Sequence, residues 1–81
     1  MVVTIELFGI FRDIAKIDKI NMPITRKTLV RDVLESLGNK YPALALDKTS
    51  FLISVNSELV SPDRLLQPDD VICFLPHIGG G

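Results

Sequence analysis

The residues of this chain that could do chemistry gather at its end, in VICFLPHIGGG (71–81). Cys73 is the only thiol and His77 the only imidazole. A nucleophile–base pair made of these two would put one member on a strand and the other in a terminal tail, a poor way to fix the hydrogen bond such a pair needs. Cys73 alternates with Val71 and Leu75 and reads as a small core residue. His77 follows the last strand and reads as solvated, or as a polar contact to a partner. Asp63, Asp69 and Asp70 fall in turn sequence, where aspartate supports local backbone hydrogen bonds. Asp69–Asp70 has no third ligand near it in sequence, so a solvated turn is the reading there too. What remains is Gly79, Gly80 and Gly81. Glycine loses more backbone freedom on ordering than any other residue. Either this end is simply frayed or added, or the terminal carboxylate is the working group. It is not a phosphate loop, because no helix follows Gly81 to supply the dipole and amide donors. The residues alone leave both readings open.

The elements that must position this end can be read upstream. VVTIELF (2–8) alternates, with Val3, Ile5 and Leu7 on one face, and Gly9 ends it. IFRDIAKI (10–17) carries Ile10, Phe11, Ile14 and Ile17 at helical spacing, which predicts a short helix or turn. KINMPI (19–24) predicts an edge strand, since Pro23 has no N–H for a ladder. TLVRDVLESLGNKYP (28–42) is the clearest helix, with Thr28 as N-cap, Leu29, Val33, Leu37 and Tyr41 every four residues, and Pro42 closing it. ALALDKTS (43–50) reads as irregular connection. FLISVN (51–56) puts Phe51, Ile53 and Val55 on one face, and a turn leads to a short strand LVS (59–61). SPDRLLQPDD (61–70) is turn sequence. VICFLP (71–76) is a near-continuous apolar strand. The order strand, strand, helix, strand, short strand, strand predicts an α+β roll: a mixed sheet of four to five strands with one main helix on one face. The first and last strands, being the most apolar, are expected at its centre.

Composition narrows the function. Apolar residues make up 47% and charged residues 23% of the 81 residues, a balance that fits one globular domain. Nine basic against ten acidic residues, net −1, argue against a nucleic-acid-binding surface. No apolar run approaches the ~20 residues of a membrane span. The start reaches Glu6 before any long apolar stretch forms, unlike a secretory signal. One cysteine excludes an internal disulfide framework and a cysteine-based metal site. A cytoplasmic location is the expectation.

The whole pattern, a compact roll with a strand running into a glycine terminus, resembles the ubiquitin-like β-grasp sulfur carriers, and most closely the small subunit of molybdopterin synthase (the MoaD family). LFGIFRDIA (7–15), VNSELV (55–60) and DDVICFLPHIGGG (69–81) carry the resemblance, which spans essentially the full chain. The FGIFRDIA segment distinguishes it from the shorter thiamin-pathway sulfur carriers. Two features depart from the family pattern: a single proline, Pro76, before the tail, and three terminal glycines where two are usual. The resemblance implies a β-grasp domain over residues 1–78 and a flexible glycine tail over 79–81. It further implies that the Gly81 carboxylate, next to Gly80, is adenylated and then converted to a thiocarboxylate, with Gly79, Gly80 and Gly81 threading the partners' channels. The chain itself would be a non-catalytic sulfur-donor subunit that binds no cofactor. ATP and magnesium would belong to a ubiquitin-activating-type adenylating enzyme, and the second partner would be the synthase's large subunit. Sulfur transfer in another pathway, and conjugation to proteins through the terminal glycine, are the alternatives.

For the docking surface, Val71, Cys73 and Leu75 are expected to face the helix. Ile72 and Phe74 would then face outward together with Phe8, an apolar cluster that needs either a partner or a covering loop. The resemblance adds Leu59 and Arg12 to these partner-binding positions.

Overall fold

The computed structural model describes residues 1–48 and 50–76. Strand β1 (Val2–Leu7) buries Val3, Ile5 and Leu7 on one face, as its alternation requires. At Gly9 the backbone takes φ 55°, a conformation open chiefly to glycine, and the chain turns into α1 (Gly9–Ala15). The core uses only Phe11 of the four apolar residues expected there; Ile10, Ile14 and Ile17 stay at the surface. Lys16, left-handed at φ 60°, ends the helix before Ile17 can continue its spacing. Phe11 instead anchors the helix, edge-on to Phe51 with ring centroids 6.0 Å apart.

Strand β2 (Lys19–Pro23) pairs antiparallel with β1 and forms one edge of the sheet, where Pro23 does no harm to a ladder. Helix α2 (Val30–Lys40) buries Val30, Val33 and Leu37. It starts later than the sequence suggested. Thr28 does not cap it; its hydroxyl accepts from the Thr25 N–H (2.9 Å) within the preceding turn. The Leu29 N–H donates to the Asp32 carboxylate (2.8 Å), and the Val30 and Arg31 N–H groups donate to the carbonyls of Arg64 and Pro62 (2.9 Å each). The 62–64 segment thus satisfies donors that a capping side chain would otherwise take. A 3-10 turn, Pro42–Leu44, follows and buries Leu44.

Strands β3 (Phe51–Val55), β4 (Glu58–Leu59) and β5 (Val71–Pro76) complete a five-stranded sheet ordered β2-β1-β5-β3-β4. β1 and β5 run parallel; every other pair is antiparallel. The α+β roll is therefore as expected, with the first and last strands side by side at the centre. Its single core lies between one face of this sheet and α2, with Ile20, Ile53, Val55, Leu66, Ile72 and Phe74 filling it from the sheet side and the loops.

The orientation of β5 is the reverse of that expected. Ile72 and Phe74 are 0% exposed and face the core, while Val71, Cys73 and Leu75 face away from it. Register decides this. Ile72 pairs with Ile5 and Val55, and Phe74 with Leu7 and Ile53, all inward residues of the flanking strands. Phe74 also packs edge-on against Phe51 at 5.6 Å.

Candidate docking face beside the C-terminal strand

With β5 reoriented, the face of the sheet away from α2 can be built row by row. One row is Leu75 beside Leu52. Phe8 continues β1 in an extended conformation (φ −128°, ψ 159°), and the Leu7–Phe74 pairing brings it alongside Leu75 from the other side. The next row runs Lys19, Glu6, Cys73, Ser54, Leu59 across all five strands. Phe8 (41%), Leu52 (44%), Leu59 (66%) and Leu75 (38%) are all well exposed. The result is an apolar patch, set in two adjacent rows of one face, that flanks the strand preceding the tail. Arg12, one helical turn beyond Phe8, is exposed as well.

Of the sequence-predicted docking residues, Phe8, Leu59 and Arg12 are therefore accessible, and Ile72 and Phe74 are not. Leu52 and Leu75 were missed. Leu52 was legible, since it alternates with Phe51 and Ile53; Leu75 was not, because every residue from Val71 to Leu75 is apolar. The tail residues Gly79, Gly80 and Gly81, the domain boundary after residue 78, and His77 lie outside the described residues.

Cys73 is also corrected: it is half-buried on this open face and not in the core. Burial pushes its pKa up and the Glu6 charge pushes it further, against a hydrogen bond with the Ser54 side chain that acts the other way. The net shift is upward, so at neutral pH the group is a thiol and a weak nucleophile.

Asp70 departs from its expected solvated turn. It is 6% exposed, on the inward phase of β5 with Ile72 and Phe74. Its oxygens are met on all sides: Oδ1 accepts from Asn56 Nδ2 (2.8 Å), and Oδ2 from the Gln67 N–H (2.8 Å) and from Arg64 Nη1 (3.1 Å). Burial alone would raise its pKa, but these hydrogen bonds and the Arg64 charge outweigh it and hold the carboxyl below its ordinary value. Asp63 and Asp69 are exposed, Asp63 pairing with Arg31 at the surface. Among the described residues, no group of three His, Cys, Asp or Glu side chains is placed to hold a metal ion. Nor is any helix among them long and apolar enough to cross a membrane.

Comparison with known proteins settles the family. The sequence matches the ThiS family over residues 5–81. The chain belongs to the ThiS family, the ubiquitin-like β-grasp sulfur carriers. No curated protein matches it. Small archaeal modifier protein 1 of Methanosarcina acetivorans is 28% identical with TM-score 0.83, the match covering 99% of this chain and 96% of that one. The SAMP1 structure of Haloferax volcanii has TM-score 0.86 at 18% identity, covering both chains fully. A chain in the complex of subunits 1 and 2 of the molybdopterin-converting factor of Helicobacter pylori superposes with TM-score 0.70 at 23% identity, again over the full length of both.

Proposed function

We propose that this chain is the sulfur-donating small subunit of a molybdopterin synthase. The observation that carries the reading is the apolar patch of Phe8, Leu52, Leu59 and Leu75 beside β5, the strand that the last five residues follow in the sequence. The large subunit would cover that patch, with Arg12 at its rim, and would take the tail into its active site. Five extended residues reach at most roughly 18 Å, enough to separate a docking surface from a catalytic centre. Membership of the ThiS family supports the chemistry at the far end.

A terminal carboxylate is ionised at neutral pH and a poor electrophile. In the proposed sequence, the adenylating partner, using ATP and magnesium, lets a Gly81 carboxylate oxygen attack the α-phosphorus and displace pyrophosphate. A hydrosulfide-level sulfur donor then attacks the acyl carbon and expels AMP, leaving a thiocarboxylate. The net change is one oxygen replaced by sulfur. Gly79, Gly80 and Gly81 keep the tail thin and free of side chains, so that its backbone amides can meet a narrow channel. The entropy lost in ordering them is offset only on binding.

The second reading is a protein modifier joined to lysines through Gly81. The 28% identity to an archaeal protein named as a modifier favours it. Affinity purification of the chain from its own cells separates the two. The synthase reading expects one larger partner bound without a covalent link, released in denaturant and lost in the Leu75→Arg variant. A ladder of higher-mass lysine adducts, with no such partner, would overturn it in favour of the modifier.

A further inference from the structure

Leu59, the most exposed member of the patch, sits on the least supported strand. β4 has two residues, paired to β3 only at Ser54–Leu59 and Val55–Glu58, with one further hydrogen bond from the Val60 N–H to the Ile53 carbonyl (3.0 Å). The turn that delivers it is a two-residue hairpin loop closed by the Val55–Glu58 pair, with Asn56 (φ 52°) and Ser57 (φ 73°) both left-handed. Asparagine adopts that conformation readily and serine rarely, so the surroundings of Asn56 help to hold the turn. Those surroundings are visible. The Asn56 N–H donates to the Val71 carbonyl (2.9 Å), its Oδ1 accepts from the Val71 N–H (3.0 Å), and its Nδ2 donates to Asp70 Oδ1. Asp70 is fixed in turn through its other oxygen by Arg64 and Gln67. Their segment is tied to the start of α2 by the Val30–Arg64 and Arg31–Pro62 hydrogen bonds and by the Leu66 N–H to the Thr28 carbonyl (2.9 Å). A chain of hydrogen bonds thus runs from the core, through one buried carboxylate, to the tip of the β3–β4 hairpin.

We infer that Asp70 and Asn56 are positioning residues for partner docking: their clamp sets Leu59 on β4 at the height and register needed to share one flat patch with Leu52 and Leu75 on the neighbouring strands. The inference rests on the docking reading above. Neither residue touches the partner; they act through Leu59. Without the clamp, β4 is a two-residue edge that opens locally while the central strands stay shut.

Two measurements test it. The first needs no partner. Amide hydrogen exchange in Asn56→Ala is expected to be faster at Val60 by about tenfold, with Ile5 and Phe74 protected as in the parent. Unchanged exchange at Val60 overturns the clamp. The second is a double-mutant cycle on binding to the molybdopterin synthase large subunit of the same organism. Leu59→Ala is expected to weaken binding about tenfold. Asn56→Ala is expected to weaken it several-fold in the parent, by nothing further in the Leu59→Ala background, and by its full factor in the Leu75→Ala background. Asp70→Asn is expected to follow the same pattern; should it fail to fold, Asn56→Ala decides. An Asn56→Ala effect that is absent, or equally large with and without Leu59, overturns the inference and leaves docking intact. If neither Leu59→Ala nor Leu75→Arg weakens binding, the docking reading falls, and the positioning role with it.

Discussion

Leu75→Arg and Phe74→Arg, one position apart, are expected to separate docking from folding. A guanidinium at position 75 stands in water on the open face, where a substitution costs within about 0.5 kcal/mol of stability. It should nonetheless cut partner affinity by roughly thirtyfold or more, the effect of breaking a central apolar contact. Phe74 is enclosed by Leu7, Ile53 and Phe51. Even truncation there costs ~3–5 kcal/mol, a large part of the ~4–12 kcal/mol that 81 residues provide, and a buried charge costs more. Circular dichroism with a binding assay reads both: a folded, non-binding Leu75→Arg and an unfolded Phe74→Arg. The reverse outcome would place β5 one residue out of register. Asp70 gives a second residue-scale prediction. Its pKa in the fold lies below that in the unfolded chain, so its contribution to stability is complete above the unfolded value, ~3.9, and is lost as pH falls through the folded value. Denaturant melts should show stability falling below about pH 4. That component should be missing in Asp70→Asn, and an identical acid profile in the variant would contradict the assigned role.

Element by element, legibility followed the strength of the hydrophobic period. β1 and α2 mix apolar and polar residues at one clear spacing and bury residues on the faces that spacing predicts. β3 buries Ile53 and Val55 as predicted, and Ser54 as well. β5 has no polar residue between Val71 and Leu75, so alternation cannot distinguish its faces. Only pairing with β1 and β3 does so, and that is tertiary information. The same limit hid the docking patch, since Leu75 belongs to it through its register partner Leu52. Asp70 was misjudged because a carboxylate in a Pro-Asp-Asp turn reads as solvated unless its distant partners Asn56 and Arg64 are known. The start of α2 was missed by one residue because its first donors go to the 61–67 segment, a contact local sequence does not encode. Gly38 supplies the element-scale prediction. It lies inside α2, and a Cβ there would meet nothing within 4 Å. Gly38→Ala is therefore expected to stabilise the protein by about 0.5–1 kcal/mol, by lowering the backbone entropy lost on folding. A thermal melt should rise by a few degrees; a fall would mean the helix backbone at Gly38 is closely approached after all.

At the scale of the whole molecule, the proposed function makes the sheet a platform and the tail the working part. β5 is the third of five strands, so its last residue, Pro76, lies at the middle of the platform, beside the patch a partner would cover. Position along the tail should then matter. Each extended residue moves the carboxylate by ~3.3–3.6 Å, and a displacement of ~1 Å can cost about a hundredfold in rate where geometry carries catalysis. Chains ending at Gly79, Gly80 and Gly81, assayed for adenylation and sulfur transfer with the same partners, are expected to differ sharply, with Gly81 the most active. Equal rates for all three would remove the functional meaning of the tail. The most direct test of the sulfur-carrier assignment is the mass of the C-terminal peptide after incubation with the cognate adenylating enzyme, ATP and a sulfur donor. The account predicts one oxygen exchanged for sulfur at Gly81, undiminished in Cys73→Ser. Sulfur on Cys73, or a Gly81 carboxylate left unchanged by an enzyme that is active on its own substrate, would contradict it.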